Sequence, residues 1–413
     1  MLPEAYYPVS HGHIPPLKLE SGTVSSQVDN WSRCDVGARV TEYQPNNNKV
    51  VLNNGREYSY KALVLSPGFE QTDSLIEGLP EMRETHEMEN VYVHQIDNKL
   101  TVDRNYYHGW NHRAGNMLNY SPAQPYKGEG SDFYSLIYES FLRQDRQHGL
   151  SHDSAKIQYF TPNKNIFSFP YANEVALDEC RKRNIDVCLG HELVKVHFND
   201  IGEKIATFRN VDTGATLEHP FTHANITAPS RPWAALQDAG ITDSNGLIDV
   251  NQYTLQHERY ENIFAWGDAI RGNITRTNVA AAAQNPVVKN NVLKFMAGQE
   301  LDGIYDGYTY FPMYMSHSHA TGFSHTWDFQ PAPNNHAIPQ YGLFAKGYFN
   351  YQLKTNLNNS IAYTSFKKDH GPPYKHFSQT FDPLEHNQVL QARNVDVEAL
   401  RSIHGNKATP AIE

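Results

Sequence analysis

Two hydrophobic periods alternate along this chain. Val50-Val51-Leu52 and Tyr58-Ser59-Tyr60 are β-formers separated by Asn53-Asn54-Gly55, and a glycine-ended polar turn between two such runs predicts a hairpin. The short apolar run Ala62-Leu63-Val64-Leu65 stops at Ser66-Pro67-Gly68 and predicts a buried strand. Its terminal glycine lets the backbone approach a ligand closely. A second unit begins at Met117-Leu118-Asn119-Tyr120, followed by a Pro/Gly-rich loop over 121–130 and a helical pattern over 132–142. Ile157-Gln158-Tyr159-Phe160 predicts another strand, leading through a long loop to a helix over 174–183. Ile185-Asp186-Val187-Cys188 and Val194-Lys195-Val196-His197-Phe198 read as strands, and alternation over 205–217 around Asp212-Thr213-Gly214 predicts a further hairpin. Strands that alternate with helices predict an α/β fold with a parallel, doubly wound sheet.

The stretch 260–284 carries the most specific pattern. Ile263-Phe264-Ala265-Trp266 is a short strand that closes on Gly267-Asp268, and Thr277 then opens an alanine-rich helix. The glycine admits a ligand to the backbone, and a helix N-terminus favours electron-rich atoms. The carboxylate either accepts hydrogen bonds from ribityl hydroxyls or merely caps a turn, and the residues alone leave both open. Gly128-Glu129-Gly130 follows a strand and precedes a helix but lacks a third glycine, so it reads as a plain turn. The chain contains no complete G-x-G-x-x-G.

Composition narrows the partners. A chain of 413 residues has room for two or three domains, and its net charge of −10 disfavours a nucleic-acid partner. No apolar run approaches the length of a transmembrane helix, and the mean hydropathy is −0.62. Cys34, Cys180 and Cys188 are too few and too poorly spaced for a zinc knuckle or a disulfide scaffold. Arg181-Lys182-Arg183 could lower the pKa of the thiols that flank it. The helix-to-strand reading instead points Cys180 and Cys188 in different directions, as structural residues. His317, His319 and His325 are close enough in sequence to suggest a metal, but 21 histidines make local clusters expected, and no metal is predicted. The opening residues Met1-Leu2-Pro3-Glu4-Ala5-Tyr6-Tyr7 show no targeting peptide.

Gly267-Asp268, Thr275-Arg276-Thr277, Val279-Ala280-Ala281-Ala282-Ala283-Gln284 and Tyr305-Asp306-Gly307-Tyr308-Thr309 resemble, in order and spacing, the FAD-contacting signature of sulfide:quinone oxidoreductases of the mitochondrial type. The likeness runs over residues 6–329 and is patchy over 81–156. It implies two dinucleotide-binding, Rossmann-like domains of the flavoprotein disulfide reductase type, the first incomplete, with a polar C-terminal extension. The expected division is 1–115 for the incomplete first domain, 116–245 for the second, 246–300 for the return to the first, and 301–413 for the C-terminal region. FAD is the implied cofactor, with Ser66, Gly68, Gly267, Asp268, Arg276 and Thr277 as the implied contacts.

Three departures from that pattern change the expected function. The family's opening strand, glycine loop and helix, which hold the FAD pyrophosphate, have no counterpart before Tyr6, and this counts against a bound flavin. The two catalytic cysteines correspond to Pro125 and Phe311, neither of which can form a thiolate. The family's membrane-dipping helices are matched by a polar stretch that includes Asn350, Gln352, Lys354 and Asn356, suited to a protein interface rather than lipid. The expected function is therefore a catalytically degenerate accessory subunit of a larger, mitochondrial inner-membrane respiratory assembly. Its partners would be other protein subunits, one of which could supply the missing βαβ unit. The alternative is an active FAD-dependent oxidoreductase passing electrons to quinone, completed by a partner chain that supplies the pyrophosphate loop.

Overall fold

The computed structural model describes residues 37–84, 91–94, 116–123, 156–227, 229–272, 275–314 and 320–329. The chain opens with an antiparallel meander of β1 (Val40–Gln44), β2 (Lys49–Leu52) and β3 (Glu57–Ser59). The β2–β3 turn is the one predicted at Asn53-Asn54-Gly55. β4 (Leu63–Leu65) and the two-residue β5 (Glu70–Gln71) follow, and then a short helix, Leu79–Glu84.

β6 (Val91–His94), β7 (Met117–Tyr120), β8 (Ile157–Thr161) and β9 (Ile185–Leu189) enter a five-stranded sheet, with the helix Pro170–Lys182 between the last two. That helix begins four residues before the expected start because Pro170 stands at its first turn, where a missing N–H costs nothing. β10 (His191–Phe198), β11 (Lys204–Asn210) and β12 (Thr216–Phe221) form a second antiparallel meander. β13 (His223–Thr227) then returns to the five-stranded sheet between β6 and β7, completing the order β6-β13-β7-β8-β9. All its pairings are parallel. β14 (Ser230–Arg231) pairs with β5, and a short helix spans Ala234–Asp238. β15 (Ile263–Ala265) pairs in parallel with β4. The 19-residue helix Asn278–Met296 and the hairpin β16 (Thr309–Tyr314) and β17 (Ala320–His325) complete the described fold.

Three apolar clusters hold these layers. Met117, Ile157 and Tyr159 on one face of the five-stranded sheet pack with Ala172, Ala176 and Cys180 of the Pro170–Lys182 helix. Leu118, Tyr120, Phe160 and Ile226 on the other face pack with Leu193, Val196 and Phe208 of the meander. Phe160 stacks on Phe208 with ring centroids 4.1 Å apart. Both faces are covered, which is why apolar residues stand on both sides of these strands, as Met117 and Leu118 do in β7 and Tyr159 and Phe160 in β8. The third cluster joins Leu65, Phe264 and Ala265 to Val287, Val288 and Phe295 of the long helix and to Tyr305, Tyr308 and Trp327. The β16–β17 hairpin adds Phe311 and Phe323 to the first cluster.

Candidate functional site

β4 and β15 lie side by side in the register Leu63–Ile263, Val64–Phe264 and Leu65–Ala265. Both end together, and Trp266 N–H donates to the Leu65 carbonyl at 3.0 Å. The turns Ser66-Pro67-Gly68 and Gly267-Asp268 are therefore neighbours at the carboxyl ends of parallel strands, where α/β sheets bind ligands. Gly267 has φ +89, and a Cβ there would lie 3.2 Å from Ser66 Oγ. Gly68 has φ +62 and open space where its side chain would be.

The helix Asn278–Met296 starts beside these turns. Thr277 caps it, its Oγ1 accepting from Ala280 N–H at 3.0 Å and lying 2.6 Å from Thr309 Oγ1. Arg276 is buried and spends its guanidinium on the Gly-Asp turn, donating to the carbonyls of Asp268 at 2.7 Å and Ile270 at 3.1 Å. Its charge also lies 5.9 Å over the Phe69 ring. Gln284 Oε1 accepts from Gly267 N–H at 2.7 Å, and Gln284 also bonds the Tyr305 hydroxyl. The fold thus gathers Ser66, Gly68, Gly267, Asp268, Arg276 and Thr277 at one place.

Asp268 differs from its neighbours. Its carboxylate makes no hydrogen bond among the described residues, and burial pushes its pKa upward, partly offset by Arg276. A desolvated acceptor without a donor, beside a glycine turn and the Ser66 hydroxyl, fits a hydroxylated ligand such as the ribityl chain of FAD.

The Tyr305-Asp306-Gly307-Tyr308 run grips Trp327. Trp327 Nε1–H donates to the Tyr305 carbonyl at 3.2 Å, and Asp306 Oδ1 accepts from Tyr308 N–H at 2.9 Å. At Gly307, φ is +82 and a Cβ would lie 2.3 Å from Trp327 N, so only glycine fits. Just beyond it, Phe311 is buried and pairs across the hairpin with Phe323. Its ring stacks on Phe167 at 5.5 Å and lies 5.4 Å from that of Phe323. Pro125 lies outside the described residues.

His325 is buried against Phe169 and Phe329. Its Nδ1 is 2.8 Å from the Thr326 carbonyl, which can only accept, so Nδ1 carries the proton and Nε2 accepts from the Thr275 hydroxyl at 2.6 Å. Burial lowers its pKa to about 4. Both nitrogens are engaged, while His317 and His319 lie outside the described residues. Among the described residues no three His, Cys, Asp or Glu side chains are grouped to hold a metal.

Cys180 and Cys188 pack on opposite faces of the five-stranded sheet. Burial pushes the Cys180 thiol up to about 12 despite nearby Arg183, and burial also raises Cys188. Desolvation outweighs the adjacent basic residues. Cys34 and the 132–142 helical pattern lie outside the described residues, as does the polar stretch around 350–356. Gln284 and His325 acquire their roles only through tertiary neighbours, and a glutamine ending an alanine run was the sole local signal for the first.

No protein-family model matches the chain. It is 27% identical over 277 residues to the mitochondrial sulfide:quinone oxidoreductase of Schizosaccharomyces pombe, covering 66% of this chain and 58% of that protein. The mitochondrial sulfide:quinone oxidoreductase of Mus musculus is 27% identical over 278 residues, 67% of this chain and 59% of its own length. The chain thus spans under three fifths of these relatives. Among solved structures, a chain of the Tetrahymena thermophila mitochondrial ATP synthase superposes with a TM-score of 0.71 and 27% identity, over 81% of this chain and 80% of that one. The sulfide:quinone oxidoreductase of the bacterium Aquifex aeolicus shares the fold, with a TM-score of 0.63 and 14% identity over 87% and 79% of the two chains. These likenesses establish distant homology to the sulfide:quinone oxidoreductase family and an α/β architecture of its dinucleotide-binding kind.

Proposed function

We propose that this chain is a catalytically silent relative of the sulfide:quinone oxidoreductases that serves as an accessory subunit of a mitochondrial inner-membrane assembly of the ATP synthase kind. Phe311 carries the reading. Where the family resemblance expects a thiol, a buried phenyl ring stacks on Phe167 and Phe323. Such a ring cannot attack sulfur or pass electrons to a flavin. Cys180 and Cys188, raised by burial and separated by the sheet, offer no substitute dithiol. Likeness to a chain within an ATP synthase over four fifths of both chains supports the assembly, and the relatives' mitochondrial names support the location. Among the described residues no helix is long and apolar enough to cross a membrane, so the proposed contact with lipid is peripheral. The division at 115, 245 and 300 belongs to the same proposal.

Asp268 favours a second reading, an FAD-dependent oxidoreductase passing electrons to quinone and completed by a partner's pyrophosphate loop. Ser66, Gly68, Gly267, Asp268, Arg276 and Thr277 would then hold the flavin, which supplies two-electron redox chemistry when bound. In this chain Asp268 would accept the ligand's hydroxyls, Ser66 lines the turn, and Arg276 fixes the loop that presents the carboxylate.

Native purification followed by mass spectrometry and an absorbance spectrum separates the two. Co-migration with ATP synthase subunits and no flavin band is the expected result. A bound flavin that quinone reoxidises would overturn the silent-subunit reading, and a chain found alone would overturn the assembly.

A further inference from the structure

Three turns of the described residues share one plan. Asn210 Oδ1 accepts from the N–H groups of Asp212 at 3.1 Å and Thr213 at 2.9 Å. Asn251 Oδ1 accepts from those of Tyr253 at 3.0 Å and Thr254 at 3.1 Å. In both, a side-chain oxygen takes the amides two and three residues on, which is how asparagine holds a turn. At 257 an imidazole nitrogen has that place. His257 Nδ1 accepts from Arg259 N–H at 3.0 Å and from Tyr260 N–H at 3.2 Å. An amide oxygen stays an acceptor at any ordinary pH, whereas an imidazole nitrogen becomes a donor in acid.

The tautomer is fixed from both sides. The Ile241 carbonyl, 3.1 Å from Nε2, can only accept, so Nε2 carries the proton and Nδ1 faces two main-chain donors. A second proton, on Nδ1, would point at N–H groups that cannot reverse. His325 is unlike it, because its Nε2 faces the Thr275 hydroxyl, which can turn from donating to accepting when the ring charges. His257 is buried, and desolvation lowers its pKa, aided by Arg259 and Arg271 against the opposing pull of the Ile241 carbonyl and Asp249. Asp249 and Glu258 both bond Arg271, and the Tyr260 ring lies 5.2 Å from the imidazole.

We propose that His257 is an acid-sensitive latch, in which a proton on Nδ1 expels the Arg259 and Tyr260 amides and opens the 257–260 turn. That turn ties several parts together. Arg259 donates to the Gly240 carbonyl and lies 4.9 Å over the Tyr260 ring, and the Tyr260 hydroxyl donates to Asn46 Oδ1 at 3.3 Å. Ile263 N–H donates to the Tyr260 carbonyl at 3.0 Å, and His257 N–H to the Ile263 carbonyl at 2.8 Å. Opening therefore frees the entry to β15 from the first meander and from the segment after the Ala234–Asp238 helix. It also slackens the hold of Glu258 on Arg271, three residues beyond Asp268, so acid loosens the loop of the candidate site whether or not that site takes a flavin. The folded state prefers the neutral ring, so the latch is fully closed above the ordinary value of 6.5 and weakens as pH falls below it.

Amide exchange of the purified chain, resolved by residue and corrected for the intrinsic effect of pH, tests this at pH 7 and pH 5. Protection of Arg259 and Tyr260 should fall about tenfold at pH 5, while that of Tyr253 and Thr254, held by Asn251, stays level. Equal losses at the two turns would mean general loosening in acid and would overturn the latch. His257→Asn puts an oxygen where Nδ1 stands and should keep Arg259 and Tyr260 protected at both values. A response that survives in this variant would place the titrating group elsewhere, and the proposal would be wrong. His325→Gln should leave the response of Arg259 and Tyr260 intact, and its disappearance there would overturn the latch as well. Should His257→Asn fail to fold, nitrogen NMR of the His257 ring in the parent protein decides. A proton on Nε2 at pH 7, and titration in step with the loss of protection, are expected, whereas a proton on Nδ1 at pH 7 would sink the idea.

Discussion

At Phe311, packing and chemistry make opposite demands on one side chain. The ring is buried between Phe167 and Phe323, so Phe311→Ala removes it from a closed aromatic contact and costs about 3–5 kcal/mol, read as a lower denaturant midpoint. Phe311→Cys would place a thiol in the same dry surroundings that raise Cys180, so it should resist alkylation at pH 8 until the protein unfolds. His325 gives the clearest pH dependence. Its pKa falls from an ordinary 6.5 to about 4, so the folded state prefers the neutral ring. The stabilisation is complete above about 6.5 and is lost as pH falls toward 4, by an amount of the order of 3 kcal/mol. Urea titrations across that window should show the loss, and His325→Gln should flatten part of it. Asp268 has the opposite sign. Burial raises its pKa, so its contribution to stability is present at low pH and lost as pH rises through the folded value. Asp268→Asn should therefore raise the melting temperature of flavin-free protein at pH 7, and on the flavoprotein reading it should also weaken flavin retention.

The helix Asn278–Met296 owes its position to buried amides as much as to apolar contacts. Asn291 donates to the carbonyls of Thr254 at 2.8 Å and Gly303 at 2.9 Å and accepts from Gly303 N–H at 2.8 Å. Asn291→Ala strands those main-chain groups and should cost about 2–4 kcal/mol, with faster amide exchange at Gly303 as the local signature. The sequence revealed such elements unevenly. β4 and β15 are legible because buried parallel strands are short apolar runs ending at glycine or polar turns, and β7 and β8 because a single polar residue, Asn119 or Gln158, interrupts an otherwise apolar run. The helix start at Pro170 was missed because its first turn, Pro170-Tyr171-Ala172-Asn173, carries no apolar period. The five-stranded order was not legible, because β13 inserts between β6 and β7 from more than a hundred residues away. The candidate site was readable as residue types, but the burial of the Asp268 carboxylate beside Arg276 and the capture of Gly267 N–H by Gln284 depend on distances that no local pattern encodes.

At the scale of the molecule, two parallel sheets differ in completeness. The five-stranded sheet is covered on both faces by its own chain, whereas among the described residues the β4–β15 pair has one closed edge and no strand on the other. Stability should follow that asymmetry. In the isolated chain, amide exchange should be slowest at Leu118, Phe160 and Ile226 and faster at β4, and the difference should narrow on assembly. On the accessory-subunit reading, the melting temperature should rise with partner concentration.

The stacking of Phe311 also bears on reversibility. A cysteine at 311 would leave a void where the ring meets Phe167 and Phe323 and lower stability before any redox partner was in place. Regaining a reactive sulfur would take concerted repacking of several aromatic residues, each disfavoured when taken alone. On the silent-subunit reading, the phenyl ring would act as a ratchet, entrenching a loss of chemistry by making the first step back the unstable one.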